Sequence, residues 1–196
     1  TWTPELAQDI NAYHAIDAEV ELTTILSDII ATEVDREILG SLLAGATVKA
    51  AWSRSVGRYV TAGSDGNSVA NISDPGGYKG FTGTQQDWYQ TLAETIITVS
   101  NEIHKRNLRS GANWMVTSPD VATIIEAIAY FKPNATFDPT ETQYSLGVEK
   151  IGTLTNRFTV YKDPYFPVDK ILVGYKGPGW LCLRSICTTG LHSDHL

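Results

Sequence analysis

Four residues near the end of the chain have side chains that could hold a metal ion: Cys182, Cys187, His192 and His195. Thiolate and imidazole groups are ligands that zinc prefers, and a zinc ion with an open position can activate water for hydrolysis. The spacing, Cys-x4-Cys and then His-x2-His in one short segment, fits no standard zinc pattern well. A small metal-dependent hydrolase that uses this cluster is therefore the alternative hypothesis. The simpler interpretation is a strand cysteine, an incidental cysteine and a polar terminus.

No other motif indicates catalysis. The chain contains no Gly-x-Ser-x-Gly elbow, no P-loop, no dinucleotide-binding glycine pattern and no His-Glu-x-x-His. The carboxylates of Glu33, Asp35 and Glu37 lie on different sides of a predicted helix, and the spacing of Glu33 and Arg36 allows them to pair on its exposed surface. We therefore predict that the protein is not an enzyme and has no catalytic, cofactor-binding or metal-binding residues.

Charge argues against a nucleic-acid-binding protein. The 196 residues carry a formal net charge of −7, and the 15 Lys and Arg residues are scattered. The longest basic cluster is His104-Lys105-Arg106, with Arg109 nearby. Binding to nucleic acid requires clustered positive charge that displaces counterions, so we expect no specific nucleic-acid binding.

The sequence also indicates no membrane segment and few covalent crosslinks. No apolar run approaches the roughly 20 residues that a membrane helix needs, and no charged-then-apolar leader opens the chain. Two cysteines are too few for a disulfide framework, which favours a reducing compartment. The chain starts at Thr1 rather than Met, so we expect a processed product or a fragment.

Helices dominate the first part of the sequence. Thr3-Pro4-Glu5 predicts a short helix to about Ala12. Apolar residues at helical spacing then predict a helix over Asp17–Leu43, with Gly45 just beyond its end. At 1.5 Å per residue this rod is about 40 Å long. Its length indicates a spine rather than an ordinary packed helix.

The middle of the chain predicts a loop-rich segment and a third helix. Residues 46–83 are rich in Gly, Ser, Asn and Asp, so at most short strands are expected there. Thr84 and Asp87 have the spacing of a capping box and open the third helix. The predicted buried stripe of this helix consists of Trp88, Leu92, Ile96, Val99 and Ile103.

The last third predicts a strand–helix unit followed by antiparallel strands. Trp114–Thr117 is a short buried strand, and Ser118-Pro119 starts a helix that runs to about Tyr130. Lys150–Leu154 and Arg157–Tyr161 form a hairpin around Thr155-Asn156, and Lys170–Tyr175 is the last strand. This order of elements predicts an α+β protein.

A stiff connection separates the last two of these strands. Two prolines lie in it, in Asp163-Pro164 and Phe166-Pro167. Each proline has a fixed φ and restricts the backbone of the residue before it. Such rigidity is the opposite of what an active-site lid requires.

Aromatic residues are numerous in the loops and at the ends of elements. They favour either core packing or a protein–protein interface, and together they indicate an assembly protein. The residues are Trp52, Tyr59, Tyr78, Phe81, Tyr130, Phe131, Tyr144, Tyr161, Tyr165 and Phe166.

Three long blocks of the sequence resemble the major capsid proteins of T-even-type tailed phages. The blocks are TPELAQDINAYHAIDAEVELTTILSDIIATEVDREIL, GANWMVTSPDVATIIEAI and IGTLTNRFTVYKDPYFPVDKILVGYKG. They lie in the family's order and cover well over half of the chain.

This resemblance implies the Hong Kong 97-type phage capsid fold, which is α+β. The fold has a peripheral domain, with a long spine helix and β-strands, and a mixed axial domain. On this mapping Asp17–Leu43 is the spine helix, residues 1–51 and 151–196 form the peripheral domain, and residues 52–150 form mainly the axial domain. A rigid rod and stiff prolyl turns suit a subunit that must hold its shape against many copies of itself.

The same resemblance implies a structural function without catalysis. The subunit would self-assemble into hexameric capsomers of an icosahedral or prolate shell that encloses phage DNA. Its partners would be other copies of itself, together with vertex, scaffold and decoration proteins of the head. No cofactor and no membrane is implied. The protein would reside in the virion and assemble in the cytoplasm of the host bacterium.

The sequence departs from the family pattern at both ends. The family has a removable propeptide, an N-terminal arm and an extended loop before anything that resembles Thr1, so we expect this partial chain to lack the arm and the loop. At the other end, WLCLRSICTTGLHSDHL does not continue the pattern, in which an aromatic-Ala-Pro-aromatic strand is expected. This departure weakens the case for a function of the tail cysteines and histidines.

Overall fold

The structure is a computed structural model that describes residues 18–46, 48–62, 69–71, 81–134, 148–177 and 186–192. These residues form three helices and nine strands, which confirms the predicted α+β class. The helices are α1 (Ala18–Ala44), α2 (Gln85–Asn107) and α3 (Pro119–Glu126). The strands are β1 (Val48–Ser53), β2 (Val60–Ala62), β3 (Val69–Asn71), β4 (Trp114–Thr117), β5 (Phe131–Pro133), β6 (Glu149–Leu154), β7 (Phe158–Lys162), β8 (Lys170–Gly174) and β9 (Ile186–His192).

The chain divides into two compact units, residues 1–39 and residues 40–196. The described part of the first unit is helical and belongs to α1. The predicted helix from Thr3 to Ala12 and the predicted cap at Asp17 lie outside the described residues.

Helix α1 confirms the predicted rod to within one residue at each end. It is 27 residues long, which corresponds to about 40 Å at 1.5 Å per residue. Gly45 follows directly, and its N–H donates to the carbonyl of Ser41 at 3.0 Å. This bond satisfies one of the carbonyl groups that a helix end leaves without a partner.

Helix α2 is formed and buried as its sequence predicts. Thr84 Oγ1 accepts a hydrogen bond from Asp87 N–H, and the Asp87 carboxylate accepts one from Thr84 N–H at 2.9 Å, which makes a complete capping box. The predicted stripe is buried in full, at Trp88, Leu92, Ile96, Val99 and Ile103. The basic residues of the last turn lie at the negative end of the helix dipole.

Seven strands form one mixed sheet in the order β1-β9-β8-β4-β7-β6-β5. Neighbours are antiparallel except for β1 with β9 and β4 with β7, which are parallel. The strands β2 and β3 form a separate antiparallel ribbon. Helix α2 packs against β1, β9 and β8, and α3 lies beside β5. The core of the described residues contains side chains from α2, α3 and the sheet, among them Leu92, Ile96, Met115, Ile125, Leu154, Phe158 and Ile171.

Three element boundaries differ from the sequence prediction. Helix α3 ends at Glu126 instead of Tyr130, because Phe131 must enter β5 and pair with Leu154. That short edge strand was not predicted, and its Pro133 is tolerated at an edge, where a missing N–H breaks no ladder. The six-residue strand β1 lies in a segment where at most short strands were expected, and it places the buried Trp52 against α2.

The predicted hairpin is confirmed, and residues 163–169 connect its second strand to β8 as expected. Thr155 and Asn156 have φ of 52° and 57°, the left-handed pair typical of a type I′ turn. The connection from β7 to β8 crosses the end of β4, where Asp163 N–H donates to the Thr117 carbonyl at 3.0 Å. The side chain of Asp163 is buried, and its Oδ1 accepts a hydrogen bond from Tyr165 N–H at 2.9 Å.

Candidate interaction surface

Helix α1 carries a row of large aliphatic side chains that are open to solvent. Its residues lie four apart in the sequence, and the five from Leu22 to Ile38 are between 46% and 57% exposed. Ile25 and Ile29, beside its first half, are 47% and 53% exposed. We name this feature the apolar row; it consists of Leu22, Leu26, Ile30, Val34, Ile38 and Leu42. Soluble proteins seldom leave a contiguous apolar patch of this kind open unless it contacts a partner.

Acidic side chains flank the apolar row. Glu33 and Glu37 each lie three residues after a member of the row, which places them along one side of the row. Asp35 lies three residues before Ile38, which places it along the other side. Between Val20 and Ala44 the exposed charges are five carboxylates and one arginine. That arginine, Arg36, forms the predicted pair with Glu33 at 2.9 Å.

The end of the second unit where α2 finishes is basic. The connections before β4, before β7 and after β8 meet there. Asn113 joins the three connections. The backbone N–H of Asn113 donates to the Gly174 carbonyl at 2.9 Å, and the Asn113 carbonyl accepts from Thr159 N–H at 3.0 Å. The side-chain Oδ1 of Asn113 accepts from Lys176 N–H at 2.8 Å. We name this surface the basic end; its exposed basic side chains are Lys105, Arg106, Arg109, Arg157 and Lys176.

Sequence reasoning found only part of the basic end. It identified the run His104-Lys105-Arg106 and Arg109, because these residues are close in sequence. Arg157 and Lys176 come from distant segments, and only the strand order brings them to the same end. Among the described residues of this end, the carboxylate is Glu102, whose pKa is lowered by its hydrogen bond and charge contact with Lys105.

Leu108 projects from the basic end. It follows α2 directly, has a left-handed backbone with φ of 55°, and is 85% exposed. Its N–H donates to the His104 carbonyl at 2.8 Å, which closes the end of the helix. Glycine or asparagine normally occupies this position, because a left-handed backbone strains other residues. No pattern in the sequence identifies this residue.

The aromatic residues divide between core and surface. Trp52 stacks on Trp88 with ring centroids 6.1 Å apart, and Tyr59 and Phe81 meet Trp88 edge-on at 5.4 and 5.0 Å. Phe166 is also buried, and Phe131 and Tyr161 are half-buried. Tyr130 and Tyr165 are exposed by 56% and 55%, and Tyr78 and Tyr144 lie outside the described residues.

A cavity of about 460 Å³ adjoins this aromatic cluster, between β1 and α2. The two indole N–H groups at its wall already have partners within the protein. Trp52 Nε1 donates to Thr91 Oγ1 and Trp88 Nε1 donates to the Ser53 carbonyl, both at 2.8 Å. Because these donors are satisfied, the indoles offer no hydrogen bond to a ligand, and the cluster is best explained as core packing.

The metal-site hypothesis receives no support from the described residues. Within them, no group of three or more His, Cys, Asp and Glu side chains could hold an ion. Cys187 and His192 belong to β9, where the backbone alone is described, and Cys182 and His195 lie outside the described residues. In the part of the chain that the structure covers, no helix combines the length and apolar character needed to cross a membrane.

Comparison with known proteins gives a consistent family. The family model described as major capsid protein Gp23 matches residues 1–181. The major capsid protein of Vibrio phage KVP40 is 30% identical over 181 residues, which cover 88% of this chain and 33% of the relative. The major capsid proteins of Enterobacteria phages T4 and T6 are each 31% identical over 179 residues, and both matches cover 89% of this chain. They cover 32% of the T4 protein and 34% of the T6 protein. The chain thus spans about a third of the length of these relatives.

Proposed function

This chain belongs to the Gp23 major capsid protein family, and from that premise we propose that it is a structural, self-assembling subunit of a phage head without catalytic activity. The observation that carries the proposal is the family match over residues 1–181, which includes α1 and eight of the nine strands. The match is supported by relatives that are all named major capsid proteins.

Physical features of the described residues support an assembly role. The apolar row of α1 is half exposed, and burying such side chains against other copies would be favourable. The second unit has one core and a connection held by the buried Asp163 and two prolines, so it can keep its shape under many contacts.

The finer architecture is part of the proposal. We assign the Hong Kong 97-type capsid fold, with α1 as the spine helix, and we expect this partial chain to lack the N-terminal arm and the extended loop. Residues 1–51 and 151–196 are assigned to the peripheral domain and residues 52–150 mainly to the axial domain. The seven-stranded sheet contains strands from both ranges, so the two proposed domains share it.

The proposed partners follow from the same role. They are other copies of the chain, in hexameric capsomers and between neighbouring capsomers of an icosahedral or prolate shell around phage DNA. Vertex, scaffold and decoration proteins of the head complete the set. The proposed location is the virion, after assembly in the cytoplasm of the host bacterium. Specific nucleic-acid binding and membrane binding have no place in this function.

Light scattering and negative-stain microscopy of the purified chain over a range of concentrations test the proposal. We expect a mass that rises with concentration and rings, sheets or shells in the images. The double variant Ile30→Glu/Ile38→Glu should prevent association, because it places charges within the apolar row. The matched variant Thr98→Glu/Thr123→Glu, on exposed positions of α2 and α3, should associate like the wild type. A wild-type chain that stays monomeric at every concentration would contradict the proposal.

A further inference from the structure

Strand β9 lies in the interior of the seven-stranded sheet, between β1 and β8. On one side, Cys187–His192 runs parallel to Val48–Ser53 of β1. On the other side, Ile186–Gly190 runs antiparallel to Lys170–Gly174 of β8. Among the described residues, β1 has no strand partner other than β9. The place of β1 in the sheet therefore depends on β9.

The two neighbours of β9 differ from it in their relation to the family. We name the space between β1 and β8 the strand slot. Both of these strands lie within residues 1–181, which match the family model, whereas β9 begins after them at Ile186. The sequence that contains β9 departs from the family pattern, as described above. The strand slot is thus formed by strands that match the family and filled by a segment that does not.

The sequence of β9 does not explain its position in the sheet. The strand reads ICTTGLH and has Gly190 in its interior, where glycine lowers the preference for a strand. In an interior strand the N–H and C=O groups bond to both neighbours, and these bonds form with almost any residue type. Main-chain pairing on both sides therefore accounts for a strand that local sequence disfavours.

We propose that the strand slot is a binding site for one extended peptide segment, recognised through main-chain hydrogen bonds, and that residues 186–192 are its ligand in this chain. Eleven residues separate β8 from β9, whereas antiparallel neighbours are most often joined by about two to five. β9 is accordingly a docked segment and not the second half of a tight hairpin. This inference goes beyond self-assembly, because it assigns the tail a role in completing the sheet.

A backbone-directed variant of the full chain tests the docking. Successive N–H groups of a strand point to opposite neighbours, so Thr188→Pro/Thr189→Pro removes one ladder bond on each side of β9. Hydrogen exchange measured by mass spectrometry then reports on β1. We expect the amides of Val48–Ser53 to exchange at least about tenfold faster than in the wild type, because their strand partner has left. The amides of α2 should keep their protection, since α2 also packs against β8.

Two control variants change side chains of β9 and keep its backbone donors. Thr188→Val/Thr189→Val retains the branched shape at the same two positions. Cys187→Ser/His192→Asn removes the two residues of β9 that belong to the metal-site hypothesis. Both variants should protect β1 like the wild type, because the proposed recognition is through the main chain.

A peptide supplied separately tests whether the slot binds a strand. A synthetic peptide of residues 184–194 is added in excess to the proline variant, and exchange of β1 is measured again. We expect the peptide to return the exchange rates of Val48–Ser53 to within about threefold of the wild type, because the slot is then occupied again. The same peptide with prolines at positions 188 and 189 should have no effect.

Each outcome decides the proposal. Loss of protection in β1 that the unmodified peptide reverses supports the strand slot. A proline variant that protects β1 like the wild type overturns it, and so does one that unfolds as a whole, because the slot then does not form without its own strand. Loss of protection in Cys187→Ser/His192→Asn also overturns it, since side chains would then hold β9. The capsid proposal is tested separately, by association of the wild type.

Discussion

The Asp87 carboxylate accepts hydrogen bonds from the Thr84 hydroxyl and from the Thr84 N–H, which lower its pKa. Both residues were predicted from sequence, because a capping box is a local pattern with fixed spacing. A lowered pKa in the folded state means that the ionised form stabilises the fold. This stabilisation is complete above the ordinary pKa of aspartate, about 3.9, and is lost as pH falls through the lowered value.

We therefore predict that Asp87→Asn is less stable than the wild type at neutral pH and that the difference shrinks as the pH falls toward 3. The amide cannot accept these bonds as a carboxylate does, and at low pH the wild-type carboxyl is neutral as well. Urea unfolding at a series of pH values measures the difference. The variant Asp120→Asn serves as control, since Asp120 lies in the first turn of α3 without such a cap. A difference that stays constant with pH would contradict the prediction.

Other residue-scale features could not be predicted because they depend on distant parts of the chain. Ser118 was expected to cap α3, and it does occupy the N-cap position. Its hydroxyl makes no cap bond, however, and is buried without a partner in the structure. Leu108 has a left-handed backbone that its residue type disfavours. In both cases the surrounding fold overrides a local preference.

At the scale of elements, the β6–β7 hairpin combines a well-predicted position in the sequence with an unfavourable turn residue. Both strands were predicted to within one residue of their observed bounds. The turn, Thr155-Asn156, requires two left-handed residues, and a β-branched threonine is poorly suited to the first position. Thr155 Oγ1 donates to the Leu154 carbonyl at 2.8 Å, which offsets part of this cost.

Thr155→Asn should therefore raise the free energy of unfolding by about 0.5 kcal/mol, the strain relieved less the hydrogen bond lost. Asn156→Ala should lower the free energy of unfolding by about 1 kcal/mol, because alanine tolerates the left-handed region less well than asparagine. Urea denaturation of both variants measures these changes. An Asn156→Ala variant as stable as the wild type would show that the turn does not determine the register.

The connection from β7 to β8 gives a second prediction at this scale. Replacing Pro164 and Pro167 with Ala should cost about 1–2 kcal/mol of stability through the gain of freedom in the unfolded chain. The folded connection keeps the bonds of Asp163, so the variant should still fold. Assembly should suffer more than folding, because a looser connection no longer fixes how copies meet.

The comparison requires both measurements on the same protein. The double variant is built into a full-length capsid chain, and the yield of shells is counted by electron microscopy beside the urea unfolding of the subunit. Pro133→Ala, at the end of the edge strand β5, is the matched control and should assemble normally. Normal shells from the double variant would refute the role of the prolines in assembly.

The elements that sequence reasoning misplaced share one physical cause. β1 contains two alanines and a lysine and has little intrinsic preference for a strand. β5 contains a proline, and α3 stops while its sequence still favours a helix. Each boundary is determined by pairing with strands far along the chain, at β9 and β6, and no local window contains that information.

At the scale of the whole molecule, the net charge of −7 conceals two regions of opposite sign. Composition alone led us to expect no nucleic-acid binding, and it could not reveal the basic end. The strand order could not be predicted either, since parallel pairs such as β1 with β9 join segments separated by most of the second unit. The family was identified because long blocks of sequence carry more information than composition or periodicity.

The separation of charge predicts how association depends on salt. Raising the ionic strength from about 50 mM to about 500 mM shortens the screening length to a few Å and should weaken association of the wild type. Sedimentation velocity at several salt concentrations measures this, and urea unfolding of the same samples verifies that the fold remains stable. Association that strengthens with salt would indicate a purely apolar contact and would contradict the role of the charges.

The spacing of the apolar row has a geometric consequence. Four residues advance about 6 Å along a helix and exceed one full turn by about 40°, so the row winds around α1 like the thread of a screw. A partner that follows the row cannot slide along the helix without also rotating about it. Position along the row and angle about the helix are thereby coupled for any partner that follows the row.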